Sequence, residues 1–174
     1  MADAFMPNEI DDPVIAIGIL AERAGLSAAA VRKYESEGLI ISHRTASGRR
    51  LFSREDISRV RNIQHMIRQQ GLNIEGIRRM QALLPCWHLH ACTVEARGNC
   101  PAHTDGTRPC WMIKGVHCGC RPKDCRECVV YRFGSLCTEH IKRLLYGEDD
   151  PQSAGAAVRD LMRRKIRWKE QEKS

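Results

Sequence analysis

The sequence predicts a mainly α protein. A winged helix-turn-helix covers 14–85, a small irregular cysteine-rich metal-binding module covers 86–137, and C-terminal helices fill 138–174 with a linker near 148–156. Three observations carry this reading. All nine cysteines of the 174 residues lie between Cys86 and Cys137. Residues 17–85 hold a dense series of helix start and stop signals. Ser47-Gly48 is a turn signal between two short extended stretches.

The elements follow in order. Residues 1–13 carry four acids and no bases, and read as an acidic disordered tail. Ile17, Leu20, Ala21 and Ala24 have helical spacing, and Gly25 ends that helix. Ser27 is an N-cap for a second helix from Ala28 to Glu37, with Gly38 in the left-handed closing position. Val31 and Tyr34 face inward with Leu26 and Leu39, and two short helices across a Gly-containing turn make a helix-turn-helix. Ile40-Ile41 and Leu51-Phe52 flank a hairpin whose tip carries Arg44, Arg49 and Arg50, a basic wing. Ser53 caps a third helix, with Asp56 three residues on as a near capping box. Ile57, Val60, Ile63 and Ile67 line its buried face, and Gly71 ends it. Asn73 caps a fourth helix carrying Ile74, Ile77, Met80, Leu83 and Leu84, which Pro85 stops.

Charge follows the same division. The chain has 28 Lys and Arg against 21 Asp and Glu, a formal charge of +7, and the segment 14–82 alone carries +6. Arginine predominates there, which suits phosphate, because guanidinium offers two parallel hydrogen bonds. No apolar run approaches the roughly 18–20 residues of a membrane span. The N-terminal stretch lacks the basic and apolar regions of a signal peptide. A cytoplasmic protein with no membrane partner is expected, and in that compartment clustered cysteines point to metal or redox chemistry before structural disulfides.

The stretch IGILAERAGLSAAAVRKYESEGLI, followed by RTASGRRLFSREDISRVRNIQHMIRQQGLNIEGIRRM, resembles the MerR-type winged helix-turn-helix. Three anchors carry the likeness: Ile-Gly-x-Leu-Ala, Arg32-x-Tyr34-Glu35 before Gly38-Leu39-Ile40, and Ser47-Gly48-x-Arg50. Gly71-Leu72-Asn73-Ile74 with Gly76-Ile77-Arg78-Arg79 is similar to the heat-shock-repressor branch. The resemblance implies that the second helix enters the major groove of double-stranded DNA while the wing grips flanking phosphate. Arg32, Lys33 and Tyr34 would sit at the DNA, with Arg44, Ser47, Gly48, Arg49 and Arg50 from the wing. Lys33 and Arg49 stand where many relatives carry tyrosine, and both changes add charge. Tyr34 also reads as a packed core ring, and Glu35 as a local ion-pair partner rather than a base reader.

MerR-type regulators follow this module with a long helix that pairs with its twin. Here Pro85-Cys86-Trp87 arrives in its place, so a homodimer would form elsewhere. The candidate is 153–172, with Val158, Leu161, Met162 and Ile166 on one stripe; a helix docked on its own chain or a basic tail are the alternatives. Residues 139–146 read as a short helix. RNA polymerase is a further possible partner by the resemblance.

The cysteines show a weak internal repeat. Cys86-Trp87, Cys92 and Cys100-x-x-His103 form one unit, and Cys110-Trp111, Cys118 and Cys128-x-x-Tyr131 the other, which adds Cys125. This resembles the small two-CW cysteine domain attached to several bacterial signalling and regulatory proteins. Cys-x-x-Cys brings two thiolates to one metal while others arrive from distant loops. Cys110, Cys118, Cys125 and Cys128 make a four-thiolate set, and Cys86, Cys92 and Cys100 make three, with His103, His88, His90, Cys120 or Cys137 open as the fourth. Four thiolates suit either Zn2+ or an iron–sulfur cluster, and the long irregular spacing with an incomplete first set leans toward a cluster or toward cysteines shared across both units. Trp87 and Trp111 would shield sulfur from water, and the alignment of His103 with Tyr131 points to packing for that histidine. Arg97, Lys114, Arg121, Lys123 and Arg126 could offset thiolate charge or be surface residues.

The expected function is a sequence-specific DNA-binding transcriptional regulator, not an enzyme, whose cysteine-ligated centre senses metal or redox state. The alternative keeps the DNA binding and makes the zinc purely structural. A thiol oxidoreductase fits poorly, because Cys125-x-x-Cys128 lacks a thioredoxin-like βαβ context.

Overall fold

The computed structural model of the chain describes residues 12–84, 86–89, 92–113 and 124–133. The acidic tail up to residue 11, His90, Cys118, Cys120, Cys137, the 148–156 linker and the helices expected over 139–146 and 153–172 lie outside the described residues, as does the side chain of His88. The chain divides into two units, Met1–Met80 and Gln81–Ser174.

The first unit opens with a short strand, β1 (Ile15–Ala16), which runs straight into helix α1 (Ile17–Ala24). Gly25 closes α1 at φ 67°, where a side chain would be strained, and lets Leu26 N–H reach back to the Ala21 carbonyl at 2.9 Å. Helix α2 (Ala28–Ser36) starts on Ser27, whose Oγ accepts from Ala30 N–H at 3.2 Å. It ends one residue short of the expected Glu37, which caps it.

The hairpin forms as β2 (His43–Arg44) and β3 (Arg50–Phe52), with a tight turn in which Gly48 N–H donates to the Thr45 carbonyl at 2.8 Å. The sequence suggests a two-stranded wing, whereas the sheet has three antiparallel strands in the order β1-β3-β2. The added strand is Ile15–Ala16, whose two residues fall below the length at which alternation is readable; Ile15 opposes Phe52 and Ala16 opposes Leu51.

Helix α3 (Arg54–Arg68) carries a complete capping box. Ser53 Oγ accepts from Asp56 N–H at 3.2 Å, and Asp56 Oδ2 accepts from Ser53 N–H at 2.8 Å. Burial holds the Asp56 carboxyl above its usual range, against the bonds from Ser53 and the nearby Arg59 charge that favour ionisation. Arg59 itself is almost fully buried, which apolar periodicity does not foresee. Helix α4 (Ile74–Ala82) begins where Asn73 Oδ1 accepts from Gly76 N–H at 2.7 Å. It ends before Leu83, which is exposed rather than on the buried face.

Leu20, Val31, Leu39 and Phe52 are wholly buried and join Ile40, Val60, Ile63 and Ile77 in one core. Phe52 anchors β3 there; full burial of such a ring contributes about 2–3 kcal/mol. The wing is therefore fixed to the helices through its own inner strand.

In the second unit the helices are short: α5 (Cys86–Leu89), α6 (Val94–Gly98), α7 (Pro101–Thr104), a 3-10 turn over Cys110–Met112, and α8 (Val129–Phe133). Thr93 caps α6 by accepting from Ala96 N–H at 3.2 Å. Asp105 shapes the loop after α7, accepting from Thr107 N–H at 2.8 Å and Thr107 Oγ1 at 2.6 Å, and these bonds hold its carboxyl far below the usual range. Cys128, Val130 and Tyr131 are buried. No helix among the described residues is long and apolar enough to cross a membrane.

Candidate nucleic-acid interface

The outer face of α2 is a single stripe. Ala29, Arg32, Lys33 and Ser36 fall at i, i+3, i+4 and i+7 and are all exposed, while Val31 and Tyr34 point into the core. With Glu35, Arg44 and Arg50 the stripe lines an open groove of about 660 Å³ between α2 and the wing. Four cations thus surround one carboxylate, a field suited to a polyanion.

Glu35 stands at the centre of the wing contacts. Its Oε1 accepts from Ser42 Oγ at 2.5 Å and Arg44 Nη2 at 3.2 Å, and its Oε2 accepts from Arg50 Nε at 2.5 Å. Burial alone would raise its pKa; the bonds from Ser42 and Arg50 and the charges of Arg50 and Arg44 outweigh it and hold the carboxyl below the usual range. The local ion pair expected of Glu35 is present.

The other expected contact residues divide. Arg32 and Arg49 are exposed, with no side-chain partner among the described residues. Lys33 Nζ donates to Glu37 Oε1 at 2.5 Å, and that bond with the Lys33 charge lowers the Glu37 pKa. Arg44 also reaches the Gly48 carbonyl at 3.4 Å. Ser47 Oγ lies 2.9 Å from Thr45 Oγ1, and Gly48 takes φ 78°. Tyr34 is buried in the core, and burial raises its pKa against the Arg68 charge. No local pattern marks Ser42 as a partner of Glu35 or pairs Glu37 with Arg78. Arg78 Nη1 donates to Glu37 Oε2 at 3.2 Å from 41 residues away, a separation that no local pattern records.

In the second unit, Cys86 opens α5, Cys100 immediately precedes α7 without a side-chain capping bond, and Cys110 begins the 3-10 turn. Cys125 and Cys128 flank a turn closed by Cys128 N–H on the Cys125 carbonyl at 3.1 Å. Cys128 is buried, and Cys86, Cys92, Cys100, Cys110 and Cys125 are half-buried. Thiols of this number and accessibility fit the donor chemistry of Zn2+ or an iron–sulfur cluster. Among the described residues, however, no three Cys, His, Asp or Glu side chains are grouped to hold a metal ion, Cys86, Cys92 and Cys100 included. Arg126 pairs with Asp124, with Nε 3.0 Å from each carboxylate oxygen, and so has a carboxylate partner of its own.

The repeat has a structural counterpart. The Trp87 and His103 rings meet edge to face with centroids 4.8 Å apart, and Trp111 and Tyr131 meet likewise at 5.2 Å. The packing role expected of His103 is what the ring geometry displays.

Two helices across a glycine turn, a basic hairpin and a cationic groove between them define a winged helix-turn-helix domain. Residues 15–84 match the MerR HTH family regulatory proteins, and this segment is a MerR-family helix-turn-helix domain. The chain is 36% identical over 70 residues to the putative heat shock protein HspR of Streptomyces coelicolor, covering 40% of this chain and 46% of that protein. It is 38% identical over 68 residues to the HTH-type transcriptional regulator GlnR of Bacillus anthracis, covering 39% and 52%. For the HTH-type transcriptional regulator TnrA of Bacillus subtilis the figures are 37% over 67 residues, 38% and 60%. The chain thus spans about half the length of the curated relatives it matches.

Proposed function

We propose that the chain is a DNA-binding transcriptional regulator that works in the cytoplasm and has no catalytic role. The carrying observation is the groove between α2 and the wing, where Arg32, Lys33, Arg44 and Arg50 converge. Arg32 lies on the exposed stripe with its guanidinium unengaged among the described residues, so it reads base edges, and a bidentate pair with guanine discriminates by about 1–3 kcal/mol. Phosphate contacts supply most of the affinity and make it salt-dependent. A homodimer would set two α2 helices about 34 Å apart on a palindromic site. Selection from random duplexes with the full chain, followed by binding titrations across salt, tests this. A recovered motif with affinity falling as salt rises is expected; equal retention of all sequences, with no salt dependence, overturns it.

The cysteine-rich unit is proposed as a metal-dependent sensor holding Zn2+ or an iron–sulfur cluster on thiolates from Cys86, Cys92, Cys100, Cys110, Cys118, Cys125 and Cys128. Support comes from the accessibility of the described thiols and the Cys125–Cys128 turn. A purely structural metal is favoured by a different observation: the buried apolar side chains described in this unit are few, Leu84, Val130 and Tyr131 beside Cys128. Small units of that kind depend on a staple. Anaerobic purification with metal analysis and a visible spectrum identifies the metal. Operator affinity that changes between loaded, metal-free and oxidised protein supports sensing; equal affinity in all three leaves the structural role.

A further inference from the structure

We propose that Glu35 makes Arg50 a strut of the wing rather than a phosphate ligand, leaving Arg49 as the wing's phosphate-binding guanidinium. This rests on the DNA-binding reading above and assigns separate tasks to two neighbouring arginines that look equivalent in sequence. Arg44 and Arg50 are directly opposed across the β2–β3 ladder. Like charges in that position repel and would spread the hairpin. Glu35 resolves the conflict from α2, its two oxygens dividing between the two guanidiniums at 3.2 and 2.5 Å. Ser42, just before β2, adds a third donor at 2.5 Å. The carboxylate is 16% exposed and Arg50 33%, whereas Arg44 is 50% exposed. Arg50 is therefore the more committed of the pair, fixed at one end by β3 and at the other by Glu35. Moving it to a phosphate would leave a half-buried carboxylate beside the DNA backbone, a repulsive arrangement. Arg49, one residue earlier, is exposed and carries no such commitment.

The test uses the full chain, a random-sequence duplex as probe, and two readouts. The slope of log affinity against log salt falls by about 0.9 for each phosphate that is no longer neutralised. Arg49→Ala should reduce the slope by that amount, while Arg50→Gln should weaken binding with the slope unchanged. In the absence of DNA, amide hydrogen exchange over residues 43–52 should speed up in Glu35→Gln and in Arg50→Gln, with no further gain in the double variant. It should be unaltered in Arg49→Ala. Equal slope reductions for Arg49→Ala and Arg50→Gln, or wing exchange indifferent to Glu35→Gln, overturn the proposal. Absence of salt-dependent binding by the unaltered chain refutes the DNA-binding reading instead, while the exchange measurement still decides whether Arg50 is a strut.

Discussion

Arg78, on α4, donates to the carboxylate of Glu37 at 3.2 Å, and Glu37 caps the end of α2. The same guanidinium pairs with Glu75 one turn back on its own helix. Glu37 also holds Lys33 at 2.5 Å. The helix at the end of the first unit is thereby tied to a cation on the outer face of α2.

Arg78→Ala should destabilise the first unit by about 1 kcal/mol, toward the top of the range for screened pairs, since both partners are three-quarters buried. Urea unfolding of the full chain measures it, and Arg78→Lys should recover part only, because an ammonium cannot bridge two carboxylates with the same planar fork.

The capping box gives a sharper loss. Ser53 and Asp56 are both buried. Ser53→Ala removes the oxygen that accepts from Asp56 N–H and should cost about 1–2 kcal/mol, the upper half of the usual range for caps. Thermal unfolding reads it, and an unchanged midpoint would mean that the first turn of α3 does not depend on the box.

Acid should act through Glu35. Its folded pKa is depressed, so the stabilisation it gives is present above the ordinary carboxylate value and is lost as pH falls through the lower folded value. The unaltered chain should lose stability relative to Glu35→Gln across about pH 5 to 3, the carboxylate range. Parallel melting curves for the two proteins over that interval would contradict the assignment.

His103 should be replaceable by another ring. His103→Phe keeps the edge contact with Trp87 and should retain whatever metal the unaltered chain binds, while His103→Ala loosens the unit without changing stoichiometry. Metal content after purification distinguishes packing from ligation: loss of a full equivalent in His103→Phe identifies a ligand.

The helices were legible because their ends are chemical. Ser27, Ser53 and Asn73 cap at the expected residues, and Gly25, Gly38 and Gly71 take the expected positive φ, although α2 stops at Ser36 and α3 at Arg68, ahead of their glycines. The wing was legible from Ser47-Gly48. β1 was not, since two residues carry no periodicity. Nor was the burial of Arg59, because nothing near it in sequence marks an arginine as internal. At the interface, sequence identified the cations but not their division between free and committed. That division depends on Glu35 and Glu37 meeting partners 15 and 41 residues away. In the cysteine unit, the alignment of His103 with Tyr131 pointed to packing but not to the tryptophans as the partners, and a grouping of thiols likewise needs tertiary placement that spacing does not supply.

The strand order has a consequence for self-association. Among the described residues, β3 lies in the middle of its sheet, flanked on both sides, and the outer ladders belong to β1 and β2, two residues each. Edges that short are poor templates for a foreign strand. This sheet can carry a projecting basic hairpin at high protein concentration without inviting edge-to-edge polymerisation.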